Sequence, residues 1–167
     1  PIDMNTPTGA HLHATVDTLS RTAGIQTPRV YLIEDQNMNA FATGRNESHA
    51  AVAVTRGLLE HLEQDELEGV IAHELAHIGN KDILISSVVA ILAGIIVHLV
   101  HISAFSRSSD NRGSGIIGII AIVVAPIAAT LIQLAVSRSR EFQADTTAAL
   151  ITKNPNGLAK ALQKIHD

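Results

Sequence analysis

The chain has no cysteine and no tryptophan, one tyrosine and three phenylalanines. Without thiols, disulfides, thiolate zinc sites and a cysteine nucleophile are all excluded. Any metal must be held by His, Asp, Glu, carbonyls or water. Charge is scarce too: Asp, Glu, Lys and Arg make up 17% of the 167 residues, against about 25% in soluble domains. The net charge is −4 and no long basic run occurs, which argues against nucleic acid as a partner. Hydrophobic content is an ordinary 46%, yet mean hydropathy is positive. The apolar residues must therefore be concentrated in particular segments.

Two stretches hold them. Ile83 to Phe105 and Ile116 to Val136, 23 and 21 residues long, contain no Asp, Glu, Lys or Arg. Each exceeds the roughly 18 residues that mark a candidate span. At about 1.5 Å per helical residue, each reaches roughly 31–35 Å. The rest of the chain is too small to coat two all-apolar helices, so both are expected to cross a lipid bilayer. Ser106 to Gly115 (SRSSDNRGSG) reads as a polar turn that makes them an antiparallel hairpin. Ser137 then returns to the side of Asp82, and residues 1–82 and 137–167 are expected to build one domain around the inserted hairpin, 83–136. Lys81, Arg138, Arg140 and Lys153 lie on the domain side, Arg107 and Arg112 at the turn. The positive-inside rule then favours a cytoplasmic domain. Pro126 is expected to kink the second span, and Gly94, Gly115 and Gly118 to allow close helix approach. The first 29 residues lack the apolar core of a signal peptide, and a start at Pro1 suggests a fragment or processed piece.

Outside the spans the pattern is α+β and mostly helical. Ala10 to Ala23 places Leu12, Val16, Leu19 and Ala23 on one helical face, ended by Gly24. Val30–Ile33, Asn39–Thr43 and Ala50–Thr55 read as strands, with turns at Asp35–Asn37 and Arg45–Ser48. A small antiparallel sheet follows from this reading. Helical spacing resumes at Leu58, Leu59 and Leu62, and five acidic residues between Glu60 and Glu68 read as a solvated helix N-terminus. Leu158 to Ile165 reads as an amphipathic helix.

The chemistry sits in His73-Glu74-Leu75-Ala76-His77. Residues four apart lie about 40° apart on a helix, one turn up. Both imidazoles can therefore reach one metal ion, and Glu74 beside them can act on its water. Val70, Ile71, Leu75 and Ile78 share one face, and the histidines fall on its border. That face anchors the helix while the ligands open onto a groove. A catalytic zinc takes three protein ligands and a water, so a third ligand is needed. Asp82, Glu47, Glu141 and Asp145 are candidates. Asp82 is expected to cap or solvate the mouth of the span, and Glu47 lies in a turn. Glu141 and Asp145 are four apart on a helix over Arg140–Ile151. One of these two can bind metal while the other accepts the N–H of a ligand histidine.

HELAH, a two-span hairpin, SRSREFQAD (Ser137 to Asp145) and the earlier NAFATG (Asn39 to Gly44) together resemble the HtpX-type membrane zinc metalloproteases. These are gluzincins, with glutamate as third ligand, and the resemblance runs from about Thr15 to Ile165. It implies one Zn2+ held by His73, His77 and Glu141, with Glu74 as general base and Asp145 as partner of a ligand histidine. It also implies an edge strand at Asn39, Ala40 and Phe41 that aligns an extended protein or peptide substrate. The implied activity is endoproteolysis of membrane or misfolded proteins, as protein quality control, at the cytoplasmic face of a bacterial inner membrane. Family members carry two further spans ahead of this region and continue beyond it. An oxyanion donor is also expected, with Arg138, Arg140, His49 and Tyr31 as candidates. His98 and His101, three apart near the far end of the first span, are expected to serve at the interface. Two other classes stay open: a CAAX prenyl-protein peptidase, and a non-catalytic membrane metal-binding protein that would have no need of Glu74. The sequence leaves oligomeric state and native substrate open.

Overall fold

The computed structural model describes residues 2–44, 46–106 and 112–166. The centre of the expected polar turn, including Arg107, lies outside the described residues, as do the side-chain surroundings of Arg112, Gly115 and Gly118. The chain forms two compact units, Pro1–Leu84 with Arg140–Asp167, and Ile85–Ser139.

In the first unit, helix α1 spans Pro7–Ala23. It begins earlier than the apolar spacing predicts because Thr6 caps it, accepting the Gly9 N–H at 3.1 Å, and Pro7 fits the first turn. Gly24, at φ 71°, ends it as expected. The strands are β1 (Arg29–Ile33), β2 (Ala40–Thr43) and β3 (Ala51–Thr55), in the order β1-β3-β2. β2 pairs antiparallel with β3, but β1 pairs with β3 in parallel, Val30 opposite Val52. The sheet is therefore mixed, not wholly antiparallel. The reason lies in β3: AVAVT is buried at every position, which suits a central strand covered on both faces. The chain reverses twice between β1 and β3, so inserting β3 between its predecessors makes it parallel to the first.

Helix α2 (Arg56–His61) stops at Leu62, whose backbone is extended, and α3 (Gln64–Gly79) starts anew. Glu66 reaches back to accept the Glu63 N–H at 2.9 Å. The acidic cluster is thus not uniformly solvated. Glu66 is 3% exposed and accepts from Lys164 Nζ at 2.6 Å. The Lys164 bond, then the Glu63 N–H, holds its carboxyl below the ordinary carboxylate range. Lys164 belongs to α6 (Pro155–His166), which packs along α3. Gly69 makes the approach possible, since a Cβ there would meet the Leu158 backbone nitrogen at 2.5 Å. Leu12, Val16, Val52, Val54, Leu58, Ile71 and Leu75 are wholly buried between helices and sheet. Each contributes on the order of 1.5–3 kcal/mol of transfer free energy.

The other unit is drawn from α4 (Asp82–Ser106) and α5 (Arg112–Thr152). Asp82–Ser103 and Ile120–Thr152 are long and apolar enough to cross a membrane. α5 runs through Pro126 to Thr152 without a break, so the helix expected from Arg140 is its continuation, not a separate element. His98 and His101 line a shallow cleft of about 340 Å³ with Thr130 and Gln133.

Candidate metal centre

Helix α3 presents the pentad as its spacing predicts. Ile71, Leu75 and Ile78 are buried and fix the helix, while His73 and His77 are half-buried at the border. Their Nε2 atoms stand 3.1 Å apart. Glu141 Oε2 lies 3.5 Å from His73 Nε2 and 3.8 Å from His77 Nε2. One donor atom from each of the three lies within 4.8 Å of the others. Of the four carboxylates considered for the third place, Glu141 is the one brought to both Nε2 atoms. Glu47 sits in a 3-10 turn, Glu47–His49, outside that donor set.

The outer nitrogens face carboxylates. Asp145 Oδ1 is 2.9 Å from His73 Nδ1, close enough for an ion pair, yet off the N–H direction, so this nitrogen has no aligned acceptor among the described residues. Asp82 Oδ2 is 2.5 Å from His77 Nδ1 in an aligned hydrogen bond. Asp82 is 5% exposed at the first position of α4, so of the two roles expected of it, capping or solvating the mouth of the span, its burial speaks against the second. A carboxylate only accepts, so the proton sits on Nδ1 and the Nε2 lone pair turns inward. That fixes the tautomer of His77, and its Nε2, His73 Nε2 and the Glu141 carboxylate oxygen converge as one donor set. Two imidazoles and a carboxylate fit a divalent cation, zinc first, with manganese, cobalt and iron also chemically suited.

Glu74 lies next to this donor set. Its Oε2 accepts the Ala42 N–H at 2.8 Å, because α3 packs against β2. Burial pushes its carboxyl above the ordinary range, opposed by His73, the Ala42 N–H and His77, and reinforced by Glu141. A carboxyl raised in this way holds a proton more readily than a free one.

β2 is an edge of the sheet. Asn39, just before it, donates its N–H to Thr55 Oγ1 at 2.9 Å and accepts the Thr55 N–H at 3.0 Å. Alternation then turns Asn39, Phe41 and Thr43 toward β3, and Ala40 and Ala42 outward. Of the three residues expected to meet substrate, Ala40 offers its backbone to the free edge, Asn39 does not, and Phe41 offers a ring 43% exposed. Ala42, and the contact of Asp82 with His77, are what sequence reasoning misses. The alternation of NAFAT contains the first, while the second depends on a turn geometry with no motif. Tyr31 sits on β1, with β3 between it and β2. The side chains of Tyr31, Arg138 and Arg140 make no hydrogen bond or ion pair among the described residues, and His49 is bonded to Asn46 and Ser48. A cleft of about 410 Å³ opens beside His77, lined by Gly44, Ala50, Ile78, Lys81, Ile83 and Leu84 among others.

The chain is similar to known proteins in sequence and in fold. A protease HtpX homolog of Desulforapulum autotrophicum is 50% identical over 169 residues, covering 96% of this chain and 55% of its own length. One of Pyrococcus abyssi is 54% identical over 162 residues, covering 93% and 56%. The chain thus spans little more than half the length of these relatives. The crystal structure of S. mikatae Ste24p matches in fold with a TM-score of 0.68, over 92% of this chain and 41% of that one, at 22% identity. The model of peptidase family M48 matches residues 7–166. By that match, which takes in all three donors and the glutamate beside them, this chain belongs to peptidase family M48.

Proposed function

We propose that the chain carries the active site of a membrane-embedded, zinc-dependent endopeptidase that cuts membrane or misfolded proteins in quality control. The convergence of His73 Nε2, His77 Nε2 and Glu141 Oε2 beside Glu74 carries this reading. His73, His77 and Glu141 would hold the ion, which when bound supplies Lewis-acid polarisation and lowers the pKa of water toward about 7. Glu74 takes the proton of the attacking water as its oxygen bonds to the scissile carbonyl carbon. It then gives that proton to the amine nitrogen as the C–N bond breaks. Ala42 holds Oε2, which leaves Oε1 for the proton. An extended substrate pairs with the outward backbone of Ala40 on β2 by strand addition. Asp145 steadies His73.

The exposed apolar surfaces of α4 and α5 support insertion in a bilayer. The basic residues flanking them support a cytoplasmic active site at a bacterial inner membrane.

The test is metal analysis and casein cleavage by the full chain in detergent. Glu74→Gln should keep its zinc and lose about 10²- to 10⁴-fold in turnover; undiminished cleavage would remove the general base. Glu141→Ala should lose zinc, and full stoichiometry there would assign the third ligand elsewhere. Preference for a prenylated peptide over an unfolded membrane protein would overturn the quality-control role.

A further inference from the structure

The two histidines of the candidate centre are held unequally. His73 faces Asp145, half-exposed and off the N–H direction. His77 has a short, aligned bond to Asp82, which is buried. Asp82 is the first residue of α4, and His77 lies in the last turn of α3. The two are five residues apart. On an uninterrupted helix they would stand about 140° apart and roughly 7.5 Å along the axis, too far round to meet. The chain solves this at Lys81, which takes the left-handed conformation at φ 58°. α3 ends as Asn80 and Lys81 donate their N–H groups to the Ala76 and Ile78 carbonyls. The reversal then swings the first side chain of α4 back onto the last histidine of α3.

We propose that Asp82 is a positioning residue for the metal: it fixes the ring orientation and tautomer of His77 and thereby sets the affinity of the site more strongly than Asp145 does. This rests on reading His73, His77 and Glu141 as the ligands. Its consequence is that the start of an apolar helix, not only the pentad, determines how tightly the ion is held. Outer carboxylates of ligand histidines are worth about 10- to 100-fold in metal affinity, which is the size of effect expected.

A simpler role for Asp82 would be to cap α4, and two substitutions separate the roles. Asparagine and serine both cap helices well. Asparagine removes the charge that His77 meets, and serine is too short to reach the ring. Zinc affinity would be measured by chelator competition on the full chain in detergent, and the cobalt-substituted absorption spectrum would report ligand geometry. Asp82→Asn should weaken zinc binding about tenfold or more, Asp82→Ser further, both with altered cobalt bands. Asp145→Asn should cost less than Asp82→Asn. Circular dichroism of the metal-free proteins checks folding, and if the serine variant does not fold, the asparagine variant decides. Zinc affinity within about twofold of the parent in the folded variants, or a larger loss from Asp145→Asn, would overturn the proposal. A parent chain that binds no zinc, or a His77→Ala chain that binds it undiminished, would instead overturn the ligand assignment beneath it.

Discussion

The two units use the same apolar residues to opposite ends. Around α3, Leu12, Val52, Ile71 and Leu75 are sealed from solvent, whereas in the other unit Leu99, Leu131 and Ile91 are each about 60% exposed and Ala93 is the one buried residue among those described. Composition and periodicity both distinguish the two: α4 has no charged residue after Asp82, whereas α3 mixes acids with its apolar residues. On α3 the apolar residues gather on one side, which the sheet, α1 and α6 can cover. On α4 they go all round, and among the described residues little covers them. A hydrophobic residue becomes core only where the chain supplies something to bury it against.

That contrast breaks if equivalent truncations cost the same in both units. Leu75→Ala should lose about 2–5 kcal/mol in denaturant unfolding, while Leu99→Ala should change the same transition by less than about 0.5 kcal/mol. Equal losses would mean that α4 is buried in the folded chain. Next in size is Gly69→Ala, which drives a methyl into the Leu158 backbone. It should cost about 1–3 kcal/mol by overpacking and raise hydrogen exchange along α6, leaving α4 unchanged. The smallest effect is on acid stability. The Lys164 bond lowers the folded pKa of Glu66 below its ordinary 4.5. The stabilisation is therefore complete above that value and fades as pH falls through the lowered one. Lys164→Met should flatten this acid-side slope of Tm against pH and lower Tm at neutral pH, because it leaves Glu66 buried without its cation.

What the sequence reveals has a physical pattern. The pentad, Gly24, the strand segments and the two apolar runs are local signals, and all are where periodicity and capping put them. The resemblance drawn from HELAH, NAFATG and SRSREFQAD holds over residues 7–166. What escapes depends on distant partners. The parallel pairing of β1 with β3 follows from which strand is central, a choice made by burial on both faces. Glu66 looks like a surface acid until Lys164, nearly a hundred residues later, lies on it. Asp82 looks like the boundary of a span until one left-handed residue turns it toward His77.

On the proposed function, the bond from Ala42 to Glu74 would tie the general base to the edge along which a peptide would lie. Only alternate residues of that edge face outward, so an added strand can shift only in steps of two. The same fastening would then act as a ruler: sliding by one residue would turn every side chain of the guest over, while the blade would stay fixed to its mark.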